Sequence, residues 1–190
     1  KERKTYSEAK TRQFVRRIGA MTAEIGRLPM PTICALNGHA FGGGCEIALA
    51  CDLRVMASGF QIGSTETALA IVPGAGGTQR LPRIVGVAKA KELIFTAARL
   101  PAEEALAIGL VNRVTADALG TAEALAAAIQ KCGPLAVRQA KFAIDTGTDC
   151  GLEEGLRVEQ KAYEVILPTE DRLEALAAFA EKRPPQFTGR

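Results

Sequence analysis

The segment that decides how this chain folds is Asn37-Gly38-His39-Ala40-Phe41-Gly42-Gly43-Gly44-Cys45-Glu46. The apolar run 32–36 before it predicts a short strand, and Asn37-Gly38 is a turn signal. The three glycines open a helix that extends to about Ala50, and residues 53–57 predict a second strand. Because strand, helix and strand follow in this order, the segment predicts a parallel α/β architecture.

Glu46 is the most informative residue of this segment. It lies in the run 45–51, an otherwise apolar helix directly after the triple glycine. An ionised carboxylate in that setting would lose water on most sides, a condition typical of general acids and bases that work near neutral pH. The alternative is an exposed glutamate on the polar side of an amphipathic helix, although the run offers little other polar face.

A second acid, Glu66, follows another extended piece at residues 60–63. Ser64 is predicted to cap a short helix that begins near Thr65, and an acid in a first helical turn is ordinary dipole chemistry. Glu66 alone is therefore weak evidence for function. The pair carries more weight, because two carboxylates on different elements can divide acid and base roles across one substrate.

Two glycine-rich segments could bind a ligand through backbone groups. Gly42, Gly43 and Gly44 at a helix start offer free N–H groups for an anion or a developing oxyanion, although close helix packing is the alternative. The run 74–79 superficially suggests nucleotide binding. It lacks the Gly-Lys-Ser/Thr of a P-loop, and Gln79 stands where a dinucleotide fingerprint needs glycine. A pocket wall or a plain turn remains.

Composition excludes several classes of protein. The chain has 190 residues, 47% hydrophobic and 24% charged, which fits one globular domain and excludes disordered, collagen-like and coiled-coil chains. No apolar run reaches the roughly 18–20 residues of a membrane span. With only His39, sites of two or three histidines are excluded, and we expect a structural hydrogen bond for it. The five cysteines form no C-x-x-C pair and predict buried free thiols in a reducing compartment.

Charge does not single out a nucleic-acid partner. The net charge is +3, but basic residues are concentrated at the front, at Lys1, Arg3, Lys4, Lys10, Arg12, Arg16 and Arg17. Contact with RNA or an anionic ligand is one interpretation of this cluster. A solvated helix face opposite the apolar stripe of the same helix is the favoured one.

Hydrophobic periodicity predicts a helical C-terminal half. The first helix begins after Ser7 and carries an apolar stripe at Phe14, Ile18, Met21 and Ile25. Residues 110–114 predict a last strand, and only helices follow, at 116–130, 134–146, 152–166 and 169–182. The last helix has an apolar stripe at Leu173, Leu176, Ala177 and Ala180. The composition changes near residue 100, which predicts a core at 1–99 and a helical domain at 100–190.

Taken in order, the motifs resemble the enoyl-CoA hydratase, or crotonase, family. The motifs are Asn37-Gly38-x-Ala40-x-Gly42-Gly43-Gly44-Cys45-Glu46, Cys51-Asp52, Glu66, Pro73-Gly74-Ala75-Gly76-Gly77-Thr78-Gln79-Arg80-Leu81, Gly109-Leu110-Val111, and 168–172 with 179–183. Within the family the sequence looks most similar to methylglutaconyl-CoA hydratases with a side activity in RNA binding. The resemblance implies a spiral of ββα units followed by a helical trimerisation domain.

The resemblance also implies a reaction and a set of site residues. The reaction is addition of water across the 2,3 double bond of an enoyl-CoA thioester, in lipid metabolism. Glu46 matches the general base, Glu66 the acid that exchanges the α-carbon proton, and Gly43 an oxyanion N–H donor. Gly42, Gly44, Pro73, Gly74 and Lys182 match substrate-binding positions. Enoyl-CoA isomerisation and a non-catalytic RNA-binding subunit are the alternatives.

The resemblance further implies an acyl-CoA substrate, a trimer or dimer of trimers, and neither metal, cofactor nor membrane; RNA is not the expected partner. The expected location is the bacterial cytoplasm, or the mitochondrial matrix in a eukaryote. Ser64-Thr65 replaces larger apolar residues or proline, which bears on acyl preference. Family members begin with further strands and a Gly-Ala-Asp loop that carries another oxyanion donor. We therefore expect that the N-terminal part of the core precedes this chain.

Overall fold

The structure, a computed structural model, describes residues 6–190 and divides into two compact units. The first contains the described residues up to Leu28 together with Thr32–Ala122. The second contains Pro29–Pro31 and Glu123–Arg190. The change in composition near residue 100 does not coincide with this division, because residues 100–122 belong to the first unit.

The first unit alternates short strands with helices. Its elements are α1 (Glu8–Gly26), β1 (Ile33–Leu36), β2 (Ala40–Phe41), α2 (Gly43–Ala50), β3 (Leu53–Ala57), β4 (Gln61–Gly63), a 3₁₀ helix (Glu66–Leu69), α3 (Gly77–Val85), α4 (Val87–Phe95), β5 (Leu100–Pro101), α5 (Ala102–Ala107), β6 (Arg113–Thr115) and the start of α6 (Ala118–Ile129). The predicted α/β class is confirmed. Two strands were missed, β2 and β5, because two residues carry no periodic pattern.

The strands form two small sheets. The first has the order β1-β3-β6, all parallel, with Ile33 opposite Leu53 and Val55 opposite Arg113. The second has the order β2-β4-β5, in which β2 and β4 are parallel and β5 is antiparallel to β4. Apolar side chains from β1, α2, β3, β4, α3, α4 and α5 form one core.

A buried arginine joins the end of α2 to the first sheet. Arg54 on β3 donates from Nε to the carbonyl of Leu110 at 2.7 Å and from Nη1 to the carbonyl of Cys51 at 2.7 Å. Nη1 also lies 3.3 Å from the carbonyl of Ala48. Burial lowers the pKa of the guanidinium, although neighbouring polar groups favour the charge. The carbonyls at the end of α2 thus find donors without a further helical turn.

The packing face of α1 differs from the predicted stripe. Ser7 caps the helix by accepting from the N–H of Lys10, as predicted. Met21, however, is 40% exposed, and the buried residue of the helix is Thr22. The inward face is a row of small residues, since Gly19 lies against the backbone of Gly74. A hydrophobicity pattern gives no signal for such a face.

The second unit is helical, as predicted. Its elements are the remainder of α6, α7 (Pro134–Gly147), α8 (Leu152–Ile166) and α9 (Glu170–Glu181). Two glycines bring α7 and α8 close together, because a Cβ on Gly155 would lie 3.2 Å from the carbonyl oxygen of Gly147. The apolar stripe predicted on α9 lies in solvent: its four residues are all exposed, and Phe179 beside them is 86% exposed.

Outcomes for the isolated residues are mixed. His39 is exposed, and its Nδ1 accepts from the N–H of Gln61 at 3.1 Å, which confirms the structural role. All five cysteines are free, but only Cys45 is buried, so the prediction of buried thiols is wrong for the other four. The described basic residues of the front cluster are exposed, as predicted for a solvated face, and Lys1, Arg3 and Lys4 lie outside the described residues.

Candidate active site

The two predicted acids meet because two parallel strands end at the same edge of a sheet. Strand β2 leads into α2, which carries Glu46, and strand β4 leads into the 3₁₀ helix that begins at Glu66. The strands are in register, with Phe41 opposite Gly63. The N–H of Gly42 donates to the carbonyl of Gly63 at 3.0 Å and so ties the two strand ends together. Ligand sites in α/β proteins form at such strand ends.

Glu46 is held by the backbone of a distant loop. Its Oε1 accepts from the N–H groups of Ala75 and Gly77 at 2.7 and 2.9 Å. The residue is 3% exposed. Within the described chain no hydrogen bond to Oε2 is present. One carboxylate oxygen therefore fixes the orientation of the side chain, and the other can accept a proton.

The loop 73–77 is shaped to receive this carboxylate. Gly76 has a φ of 102°, so the chain turns there through a left-handed residue, and the N–H groups on either side converge on Oε1. Alternating backbone handedness of this kind forms an anion-binding concavity. Gly77 has no room for a side chain, since a Cβ would lie 2.9 Å from Cβ of Pro73 and 3.1 Å from Oε1 of Glu46.

Glu66 is a buried acid whose side chain has no hydrogen-bond partner among residues 6–190. It is 8% exposed, and among the described residues neither carboxylate oxygen has a donor. Burial, followed by the negative charge of Glu46, raises its pKa above the ordinary value. Oε1 points toward α2, because a Cβ on Gly42 would lie 3.6 Å from it. Buried polar atoms without partners are uncommon and are concentrated at functional sites.

Ser64 does not cap the helix that carries Glu66, so that prediction is wrong. The residue before the 3₁₀ helix is Thr65, which makes no side-chain cap, and the helix is only four residues long. The Ser64 hydroxyl is buried and instead lies 3.9 Å from Sγ of Cys45. Burial raises the pKa of that thiol to about 12, so Cys45 is a neutral neighbour of the site.

The start of α2 leaves its N–H groups accessible. Gly42 precedes the helix with a φ of 55°, which favours glycine, and Gly43 is its first residue. The first N–H groups of a helix have no acceptor within it. A Cβ on Gly43 or Gly44 would meet nothing within 4 Å, so a ligand atom can approach from that side.

The remaining predicted binding residues are divided between the two units: Pro73 and Gly74 belong to the first, and Lys182 to the second. Pro73 is buried beneath the loop, and Gly74 is exposed but lies against Val15 of α1. Lys182 belongs to the second unit, where it is exposed and follows α9 with a φ of 56°. Its contact with coenzyme A stays a prediction.

Sequence reasoning gave no individual role to four residues that shape the site. Ala75 and Gly77 supply the donors to Glu46, and Thr22 and Arg80 bind the same loop. A signal existed for Gly77, because a glycine at a helix start after a glycine-rich loop indicates close backbone approach. Nothing in the pattern around Thr22 marks it, since a threonine inside a helix is ordinary.

The geometry combines a carboxylate with a fixed orientation, a second, buried carboxyl group whose pKa is raised, and a glycine helix start. Such a site can move protons on a substrate while N–H groups hold a developing negative charge. The chain belongs to the enoyl-CoA hydratase/isomerase family, whose model matches residues 1–190. The fold is therefore the crotonase fold, an α/β fold, and the protein is an enzyme of this family.

Similarity to individual proteins covers the whole chain. A Bacillus subtilis protein that is named for the enoyl-CoA hydratase/isomerase family is 53% identical over 191 residues, which are 74% of its length. The human mitochondrial methylglutaconyl-CoA hydratase is 48% identical over 195 residues, or 58% of its length. The crystal structure of an enoyl-CoA hydratase from Bacillus anthracis superimposes with a TM-score of 0.97 at 48% identity, with all of this chain and 74% of that one covered.

Two features are absent from residues 6–190. None of the helices there is both long and apolar enough to span a membrane. The same residues contain no cluster of three or more histidine, cysteine or acidic side chains that could hold a metal ion. Several relatives carry the word mitochondrial in their names, and the location of this protein stays a prediction.

Proposed function

We propose that this protein adds water across the 2,3 double bond of an enoyl-CoA thioester, with Glu46 as general base and Glu66 as general acid. The observation that carries the proposal is the contrast between the two carboxyl groups. Glu46 is oriented by two N–H donors, and Glu66 is buried without any among the described residues. Such a difference in environment separates a base from an acid.

The reaction needs one proton taken and one proton given. The carbonyl of the thioester draws electrons from the double bond and makes C3 electrophilic. Glu46 removes a proton from a water molecule while the oxygen of that water bonds to C3. The electron pair of the double bond moves toward the thioester oxygen. Glu66 then donates its proton to C2. The products are the 3-hydroxyacyl thioester, a protonated Glu46 and an ionised Glu66, and proton exchange with solvent restores the starting state.

The negative charge that develops on the thioester oxygen needs a hydrogen-bond donor. Gly43 at the start of α2 is suited to this role, because its N–H has no acceptor inside the helix and the space beside it is open. Removal of one such donor typically costs about 2.7–4 kcal/mol of transition-state stabilisation. Gly42, Gly44, Pro73 and Gly74 would form the surrounding wall. Coenzyme A is part of the substrate in this reaction, so no separate cofactor is proposed.

Self-association is part of the proposal. Helix α9 presents its apolar stripe to solvent, and Leu173, Leu176 and Phe179 are 59%, 56% and 86% exposed. Further large apolar side chains are exposed on α7 and α8, among them Phe142, Leu152 and Tyr163. Extended apolar surface of this kind indicates an interface. We propose that copies of this chain associate through it as a trimer or a dimer of trimers.

The test compares Glu46→Gln and Glu66→Gln with wild type in a spectroscopic hydration assay on a panel of enoyl-CoA thioesters. Each variant keeps the shape of the side chain and removes its ability to exchange a proton. General acid–base catalysis contributes about 10²–10⁴-fold, so we expect kcat to fall by that factor. Glu103→Gln, an exposed acid on α5, is the matched control and should keep full activity.

Product analysis separates the proposed reaction from its alternative. Hydration increases the mass of the substrate by that of one water molecule. Isomerisation leaves the mass unchanged and moves the double bond. Turnover near the wild-type rate in both glutamine variants would contradict the two-acid mechanism, and an isomerised product would contradict hydration.

A further inference from the structure

The carbonyl of Ala75 is bound by two side chains that the proposed mechanism does not use. The Thr22 hydroxyl donates to it at 2.7 Å, and Nη1 of Arg80 donates at 3.0 Å. Thr22 lies on α1 and is completely buried. Arg80 lies on α3 and is half-buried. Two donors from two different helices therefore converge on one backbone oxygen.

This oxygen belongs to the peptide that lies between the two donors to Glu46. Ala75 supplies one N–H and Gly77 the other, and the Ala75–Gly76 peptide connects them. A peptide group is planar, so two donors to its carbonyl restrict the orientation of the whole group. The directions of the N–H groups on either side then depend on that plane. A change at the Ala75 carbonyl is thus transmitted to Oε1 of Glu46.

Arg80 completes the connection between the loop and α1. Its Nη2 donates to the carbonyl of Thr22 at 3.2 Å while Nη1 binds Ala75. Gly76 leaves the room for this guanidinium, because a Cβ at Gly76 would collide with Nη1. The hydrogen bonds therefore connect Thr22, Ala75 and Arg80 pairwise, in a closed network next to the N–H group that binds Glu46.

We propose that Thr22 is a positioning residue for Glu46, acting through the Ala75–Gly76 peptide with Arg80 as its partner. The inference rests on the proposed function, because it takes Glu46 as the base. A hydroxyl has one hydrogen to donate. The Thr22 hydroxyl oxygen lies 2.7 Å from the carbonyl oxygen of Ala75 and 3.0 Å from that of Gly19, one helical turn back. The shorter of the two hydrogen bonds is therefore the one to the loop.

The kinetic test compares Thr22→Val, which removes the hydroxyl at nearly constant shape, with Thr22→Ser, which keeps it. For Thr22→Val we expect kcat to fall about five- to thirtyfold, as for the loss of one buried hydrogen bond. KM should stay within about twofold, because Thr22 does not touch substrate. Thr22→Ser should restore kcat.

A second measurement does not depend on turnover. Hydrogen exchange of the Ala75 and Gly77 amides, followed by NMR, reports directly on their bonds to Glu46. We expect both amides to exchange about five- to thirtyfold faster in Thr22→Val and at the wild-type rate in Thr22→Ser. Thr96→Val removes a helical hydroxyl bond to the carbonyl of Glu92, away from the loop, and should leave these amides unchanged.

Each outcome decides the inference. Wild-type kcat and amide exchange in Thr22→Val would overturn it, as would a lower melting temperature with no change in these two quantities. If Thr22→Val does not fold, Arg80→Lys tests the same carbonyl from the other donor, and unchanged exchange there overturns the inference. If the wild-type protein hydrates no enoyl-CoA, the proposed function fails. The amide exchange rates then decide alone whether Thr22 positions the carboxylate.

Discussion

Replacement of Gly77 by alanine tests whether the loop holds Glu46 as the distances indicate. A Cβ at this position would lie 2.9 Å from Cβ of Pro73 and 3.1 Å from Oε1 of Glu46, whereas ordinary contacts begin at 3.4 Å. Relief of both contacts requires shifts of about 0.3–0.5 Å. The N–H of Gly77 donates to Oε1 at 2.9 Å, so a shift of that size takes the bond to the outer limit of hydrogen-bond distances.

The expected cost appears both in stability and in rate. Overpacking costs about 1–3 kcal/mol, and the entropic gain of replacing glycine by alanine offsets about 0.4–1 kcal/mol of it. For a chain of this size, each kcal/mol lowers Tm by about 2–4 °C. Weakening of a hydrogen bond to a charged group costs about 1.5–3 kcal/mol, which predicts that kcat falls about ten- to a hundredfold.

The assays are thermal unfolding followed by circular dichroism and the hydration assay at saturating substrate. Gly38→Ala is the matched control, because a Cβ there would meet nothing within 4 Å. We expect the control to keep its Tm within about 2 °C and its full kcat. A Gly77→Ala protein with the Tm and kcat of wild type would refute the close approach of the loop to Glu46.

Three further predictions concern stability and assembly. Burial raises the pKa of Glu66, so the native state binds this proton more tightly than the unfolded state does, and the resulting stability is lost as pH rises above 4.5 through the raised pKa. In urea titrations Glu66→Gln should therefore gain stability relative to wild type as pH increases. An equal difference in the free energy of unfolding at every pH would contradict this. Arg54→Met leaves buried carbonyls without their donor and should lower the free energy of unfolding by about 3 kcal/mol or more, whereas an unchanged urea midpoint would show that the guanidinium contributes nothing. Phe179→Asp places a charge on the apolar face of α9 and should shift the mass measured by light scattering toward the monomer; an unchanged mass would exclude that face from the interface.

Much of the fold follows from local patterns. The helices from residue 118 onward were predicted within about two residues at each end, because helical periodicity and the Gly and Pro residues that end helices act over a single element. The same holds for β1 and β3, whose apolar runs are bounded by turn signals. The strand predicted at 110–114 forms only from Arg113, since its pairing with β3 decides where it begins.

The candidate acids were also visible in the sequence. Glu46 stands out because a charged residue interrupts an apolar helix directly after three glycines, and burial confirms that reading. Glu66 did not stand out alone. Its position beside α2 results from the parallel register of β2 and β4, and β2 was too short to be predicted.

What the sequence determined by itself is the type of each long element and the two acids, because these depend on periodicity and on contrast with neighbouring residues. Tertiary structure decided which faces are buried and which groups meet. The donors to Glu46 come from residues 29 and 31 positions away, and the stripe on α9 that reads as a core face lies in solvent. Thr22 was invisible for the same reason: a hydroxyl becomes informative only when folding brings a carbonyl within 2.7 Å of it, 53 positions along the chain.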